Sequence, residues 1–389
     1  MSQIAGLRGV LPEPTKLAET VAAAGKPGFD VPKGLGAGAL VRDVGRCLYR
    51  YHLAFPDPAA ARTLVRKMVV CAVRLEPWAD GQVKPHEAAR PAGKAAIAAE
   101  LKAQRAQTQP VLAGYRDAAA EVDRLFRRVD SDRPTLELTT PDGAIHRLFR
   151  VQDAELFGKL RHLFAPKKLQ VLDGHDRYEA LLDYRDGLAA SQPLALYSAA
   201  NFALTSLVRL DDPALIVAPR HRVVRRAPAS ATVLAAAKPH FLIEKLAGAA
   251  KDPARLAAAL GDTLAHQPAF VVAWAGEADA WKLTLALDVS PLAEGVQVHR
   301  ALQKYDPVVV DDLFVARAMA GAATETATTI PAALAAKGDA VIIVRPLTID
   351  QLSHVVELGQ TLPAGSTAFA PALAPGLISA LIDPDEDLQ

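Results

Sequence analysis

The sequence predicts an α/β protein, with α+β as the neighbouring possibility. Three observations lead there. Short apolar runs alternate with helical patterns through the first 220 or so residues, the pattern of strands joined in part by crossover helices. At 169–182 an apolar run (Leu169, Val171, Leu172) stops at Asp173-Gly174, and Tyr178, Leu181 and Leu182 then recur at i, i+3 and i+4. That reads as strand, tight turn, helix. Further on, 269–274 and 281–287 flank Gly276 as an antiparallel pair. With 389 residues, 51% of them hydrophobic, the chain can bury a large core, as two domains or one domain with lobes.

In order, residues 1–40 are rich in Gly and Pro, with one helical patch at 16–24, and are expected to form an N-terminal arm. Residues 41–55 suit a helix or a strand. Residues 56–66 suit a capped turn or loop, and 68–73 a buried strand. The Ala-rich stretch 88–125 predicts helix interrupted near Pro110, with a second helix at 117–128. Pro141-Asp142-Gly143 between two apolar runs signals a hairpin, and 153–164 a helix. Residues 202–210 and 214–218 are expected strands, and 231–260 mostly helix. Residues 340–345 predict a strand, and 349–358 a helix stopped by Gly359. The stretch 361–375 predicts loop. The resulting division is an arm at 1–40, a first part at 41–227 and a C-terminal α/β part at 228–389.

Composition narrows the function classes. Lys and Arg number 44 against 43 Asp and Glu, so there is no basic surplus for nucleic acid, and 5% aromatic content gives no stacking platform. No long apolar run predicts a membrane span, and the start lacks the pattern of a signal peptide. Cys47 and Cys71 are too few for a disulfide framework, and no Cys/His cluster has zinc spacing. A cytoplasmic protein is expected.

The turn at 173–177 is where chemistry is most legible. A helix starting near His175 directs free N–H groups over Gly174, a glycine that lets a ligand approach, and Arg177 can fork a phosphate. Asp173 suits a hydrated Mg²⁺, which needs only one or two protein carboxylates. A common Asp-Gly turn with a surface ion pair is the plainer alternative. Glu87, just after a strand, suits a general base, or simply a helix start. His86, His175 and His221 are candidate contacts. Arg345 is a weaker one. Ser366 and Thr367 offer hydroxyls and N–H groups beside Gly365.

Several ordered motifs resemble one family. Asp173-Gly174-His175-Asp176-Arg177-Tyr178-Glu179-Ala180-Leu181 resembles the signature of the bacterial and archaeal family called domain of unknown function 1015. Gly28-Phe29-Asp30-Val31, Leu48-Tyr49-Arg50-Tyr51, Lys84-Pro85-His86-Glu87, Pro219-Arg220-His221-Arg222, Val344-Arg345-Pro346 and Ser366-Thr367-Ala368-Phe369 follow in the family's order, over nearly the whole chain. The Asp-Gly-His-x-Arg turn is also similar to the phosphate-binding turn of the ParB/sulfiredoxin superfamily, which includes the free-serine kinases.

The resemblance implies a ParB/sulfiredoxin-like core and phosphoryl transfer from ATP or ADP with Mg²⁺ to a small hydroxylated amino acid. It implies nucleotide contacts at Gly174, His175, Arg177, His86, His221, Ser366 and Thr367, with Asp173, His175 and Glu87 catalytic and Asp173 on the metal. The chain departs from the family at Asp176, where a second His is usual, and at Gly365 and Ala372, where lysines are usual. The absent cations favour the alternative, a nucleotide-binding switch or scaffold without turnover. A third reading is a structural or regulatory protein whose site is dead.

Overall fold

The computed structural model describes residues 3–58, 60–261, 263–264 and 267–389. It is a mixed α/β protein of two compact units. The first comprises 1–85, 89–216 and 369–389, and the second 86–88 and 217–368. These limits differ from a division at 40 and 227, because the chain leaves the first unit and returns to it.

The main sheet of the first unit is built from β1 (Ile4–Ala5), β2 (Leu48–Pro56), β3 (Thr63–Arg74), β4 (Val83–Pro85), β5 (Val111–Tyr115), β6 (Leu136–Thr139), β7 (Ile145–Val151), β8 (Leu169–Asp173) and β9 (Phe202–Arg209). Among the described residues these nine form one sheet in the order β4-β8-β5-β9-β3-β2-β7-β6, with β1 beside β3. The β8–β4 and β9–β5 pairs are parallel and the rest antiparallel. Strand β3 is central, and Met68–Val73, a run without breakers, is buried throughout, as a strand covered on both faces requires. Helices α1 (Pro91–Gln104), α2 (Ala154–Phe164) and α3 (His175–Ser191) cover this sheet. Leu101, Leu156, Leu160, Phe164, Tyr178 and Leu181 pack with Cys71, Val73, Val111, Val171 and Leu207. The hairpin at Pro141-Asp142-Gly143 joins β6 to β7, with Leu136 opposite Leu148. Asp153 caps α2, its carboxylate accepting the Leu156 N–H at 3.0 Å.

The second unit has a wholly antiparallel sheet. Its strands are β10 (His221–Arg225), β11 (Phe241–Leu246), β12 (Ala269–Trp274), β13 (Ala280–Leu285), β14 (Ala323–Ala327) and β15 (Ala340–Val344), in the order β11-β13-β12-β15-β10-β14. Helices α4 (Pro253–Gly261), α5 (Ile330–Ala335) and α6 (Ile349–Glu357) accompany it. Val223, Leu256, Leu260, Val271, Val341 and Ile343 form its core.

Three expectations are corrected. Residues 106–107 and 111–115 are strands, so the Ala-rich stretch stops being helical at Gln104. Residues 241–246 form an edge strand within the stretch expected to be helical, and Thr367–Ala370 is a strand within the expected loop. The two strands expected at 202–210 and 214–218 both form, as Phe202–Arg209 and Ile216–Pro219; β9 belongs to the first sheet, and Ile216–Pro219 lies outside it. Asp211-Asp212-Pro213 lies between them. No helix among the described residues is long and apolar enough to cross a membrane.

Candidate functional site

The expected site residues divide between the two units. Asp173, Gly174, His175 and Arg177 lie in the first; His86, Glu87, His221, Ser366 and Thr367 lie in the second.

In the first unit, β8 ends at Asp173 with a register shift in its pairing to β5, a bulge that re-aims the end of a strand. Gly174 follows at φ +91°, the left-handed region that glycine enters without penalty, and α3 begins at His175. Gly174, at the N-cap of this helix, has no side chain to cap it, and a helix N-terminus favours an anion. A Cβ on residue 174 would lie 2.6 Å from Arg177 Nη1, so only glycine lets the guanidinium fold over the turn. The Arg177 Nη1 donates to Pro110 O at 3.1 Å and Nη2 to Gln109 Oε1 at 2.9 Å. Burial pushes its pKa down, with Asp173, Glu100 and Asp176 opposing. Asp173 is exposed, and its Oδ1 accepts the Gly174 N–H at 2.9 Å. His175 is buried at 4% exposure.

Asp176 has a different task. It is 6% exposed, and its Oδ1 accepts the Arg90 N–H at 2.6 Å, while Oδ2 accepts from the Arg90 guanidinium at 3.0 Å. Its charge is therefore matched at the start of α1, which is how an acid is tolerated beside the turn. Arg177 also lines a cavity of about 310 Å³ with Lys26, Gly28, Phe29, Glu100 and Gln109. Two motif segments far apart in sequence thus border one space. Lys26, an exposed cation on that border, escaped the sequence reading because nothing in a Gly- and Pro-rich arm distinguishes it.

In the second unit, residues 86–88 run beside Leu362, whose N–H donates to His86 O at 2.9 Å, while Ala88 N–H donates to Leu362 O at 3.0 Å. This brings Glu87 to the Gly365–Thr367 loop. Its Oε1 accepts the Gly365 N–H at 3.3 Å, and Oε2 accepts the Thr367 N–H at 3.1 Å and hydroxyl at 3.0 Å. The same hydroxyl lies 2.8 Å from His86 Nε2. When Glu87 is ionised the hydroxyl donates to its carboxylate, and His86 then donates to the hydroxyl from Nε2. The Glu87 side chain keeps 12% exposure. Burial lifts its pKa from 4.5 to about 7, against the lowering effects of the Thr367 and Gly365 hydrogen bonds and the Arg220 charge. A carboxyl poised there can take or give a proton at neutral pH. The Ser366 hydroxyl donates to Pro363 O at 2.6 Å, which shapes the loop.

His221 is 3% exposed, and its Nδ1 accepts the Val344 N–H at 3.2 Å. Burial foremost, then Arg222, lowers its pKa to about 4, so the ring is neutral at physiological pH with its proton on Nε2. It lines a cleft of about 600 Å³ in the second unit, together with Lys304 and Tyr305, which the sequence reading missed. Arg345 is occupied structurally: Nε and Nη2 bind the Asp306 carboxylate at 2.8 and 2.7 Å.

Among the described residues no group of three or more His, Cys, Asp or Glu side chains is arranged for a metal ion. Asp173 is a single carboxylate that faces solvent.

A family model described as "Protein of unknown function (DUF1015)" matches residues 32–297. No curated protein matches the chain. Solved structures that resemble it include SbnI with C-terminal truncation from Staphylococcus aureus, at 13% identity and a TM-score of 0.40, covering 82% of this chain and 90% of that one. A free serine kinase in complex with AMP resembles it at 12% identity and a TM-score of 0.40, covering 78% and 89%. A conserved hypothetical protein from Pyrococcus furiosus does so at 12% and 0.39, covering 76% and 89%.

Proposed function

The chain belongs to the DUF1015 family, and from that footing we propose that it is a cytoplasmic, nucleotide-dependent phosphotransferase acting on a small hydroxylated amino acid. The observation that carries the nucleotide part is the α3 N-terminus behind Gly174, with Arg177 and Lys26 bordering the neighbouring cavity. Two cations and a row of backbone N–H groups suit a chain of phosphates. Gly174, His175 and Arg177 hold the phosphates, and Asp173 holds the Mg²⁺, which supplies charge neutralisation when bound. Glu87 accepts the proton of the acceptor hydroxyl, with Thr367 and His86 fixing the orientation of its carboxylate. The acceptor class rests on the resemblance of the Asp-Gly-His-x-Arg turn to that of the free-serine kinases.

A switch without turnover is the second reading, favoured by Gly365 and Ala372 where lysines would offset phosphate charge. Thermal-shift measurements with ATP, ADP, CTP and GTP plus Mg²⁺ test the shared part. A ligand at about 100 times its Kd adds about 2.7 kcal/mol of stability. Lys26→Ala, at an exposed position, should weaken that effect without destabilising the apo protein. Phosphoamino-acid formation followed by mass spectrometry separates the readings. In an enzyme, Glu87→Gln keeps nucleotide affinity and loses turnover by about 10²–10⁴-fold. Nucleotide binding with no phosphorylated product from any hydroxy amino acid leaves the switch.

A further inference from the structure

The cleft beside His221 has a chemistry of its own, independent of the nucleotide reading. Its volume of about 600 Å³ lies in the ordinary range for small-molecule sites. Most of its wall is apolar, with Leu260, Ile330 and Ile343 among the lining side chains. Its polar lining comprises His221, Tyr305, Lys304, the Asp306–Arg345 pair, the mutually bonded Thr348 and Gln351, and Thr263. His221, with Nδ1 committed to the Val344 N–H, has only an N–H donor left on the ring. Tyr305 is 3% exposed, and burial keeps its hydroxyl protonated. Among the described residues that hydroxyl makes no hydrogen bond within the chain. Lys304 is exposed at the cleft and has no ion pair among the described residues.

The acid lining the cleft, Asp306, is neutralised. Its two oxygens accept from Arg345 Nε and Nη2, and Oδ1 also accepts the Ala269 N–H at 3.2 Å. The cleft therefore combines apolar walls, the His221 and Tyr305 donors and one cation without an ion pair, with the Thr263 hydroxyl and the self-paired Thr348 and Gln351 also lining it. A phosphate chain would find too few cations here and too much apolar wall. An uncharged apolar molecule would leave buried donors without partners, which costs free energy.

We infer that this cleft binds a small organic monocarboxylate with an apolar body, its carboxylate taken by Lys304, Tyr305 and His221 and its chain laid against Leu260, Ile330 and Ile343. The test is isothermal titration calorimetry on the full chain with 4-methylpentanoate and its uncharged amide as probes. The carboxylate should bind saturably, one per chain, and the amide about tenfold more weakly, since a charge-assisted hydrogen bond is lost. Lys304→Met, at an exposed position, should weaken the carboxylate about tenfold and leave the amide unchanged. Ile330→Trp, at a half-buried wall position, should fill the cleft and abolish binding of both. Melting curves verify that each variant is folded, and a variant that fails is replaced by Ala257→Leu, a smaller filling of the same wall. No saturable binding up to about 10 mM, the edge of weak affinity, overturns the inference. So does an amide that binds as well as the acid, or binding indifferent to both substitutions.

Discussion

Glu87 holds its proton up to about pH 7, whereas an unperturbed glutamate releases it near 4.5. Between those values the folded chain binds more protons than the unfolded one. The contribution of this residue to stability is therefore complete below about pH 4.5 and is lost as pH rises to about 7. Urea unfolding of wild type and Glu87→Gln across that window should show the variant gaining on the wild type as pH rises. A constant difference would mean that the carboxyl is not held near neutrality. In the kinase reading kcat/KM should climb over the same pH range, because the base must be ionised. Gly365 sets a second expectation. It is buried at φ +77°, and its N–H binds Glu87. Lysine at that position would be forced into the left-handed region at a cost of about 1–2 kcal/mol. Gly365→Lys should lower unfolding stability by that much, while Ala372→Lys, on an exposed position, should change it by less than about 0.5 kcal/mol.

At the scale of elements, α3 and α1 are joined through Asp176. A Cβ on Gly93 would collide with the Asp176 carboxylate, so the first turn of α1 is fitted around that side chain. Asp176→Ala removes the acceptor of the Arg90 N–H and guanidinium and should cost about 1–2 kcal/mol in urea unfolding, as loss of a helix cap does. Asp176→Asn should recover part of it. A change below about 0.5 kcal/mol would mean that α1 does not depend on this contact. The strand, turn and helix at 169–191 were legible because apolar run, Asp-Gly and helical spacing agree there. Elsewhere local signals disagree with the fold. Val111–Tyr115 sits at the end of an Ala-rich helix pattern and is a strand because β8 and β9 pair with it on either side. Phe241–Leu246 is an edge strand, largely exposed, so it lacks the apolar run by which buried strands are recognised. The setting of Glu87 could not be read locally at all, since its partners are 278 and 280 residues away.

For the molecule as a whole, the first unit is closed by the last stretch of chain. Arg66 is fully buried, its pKa lowered to about 10 by desolvation, and its guanidinium donates to Pro371 O at 3.0 Å and to Ala370 O. Tyr51 Oη accepts the Ala374 N–H at 3.3 Å, and Ile382 packs into the core. Removing 369–389 leaves a buried cation with lost acceptors, each worth about 1.5–3 kcal/mol. The truncated chain should lose the cooperative melting of the first unit while 217–368 keeps its β signal in circular dichroism. If both units melt as in the full chain, the terminal stretch is dispensable. The excursion of the chain at 217–368 also bears on synthesis. A ribosome that has released residue 368 has delivered every strand of the second unit, yet the first still lacks Leu377, Ile378 and Ile382, all buried in the finished protein. Nascent chains commonly fold from the N-terminal end onward. Here the order is inverted: the unit begun first lacks part of its core until residues 369–389 have been made.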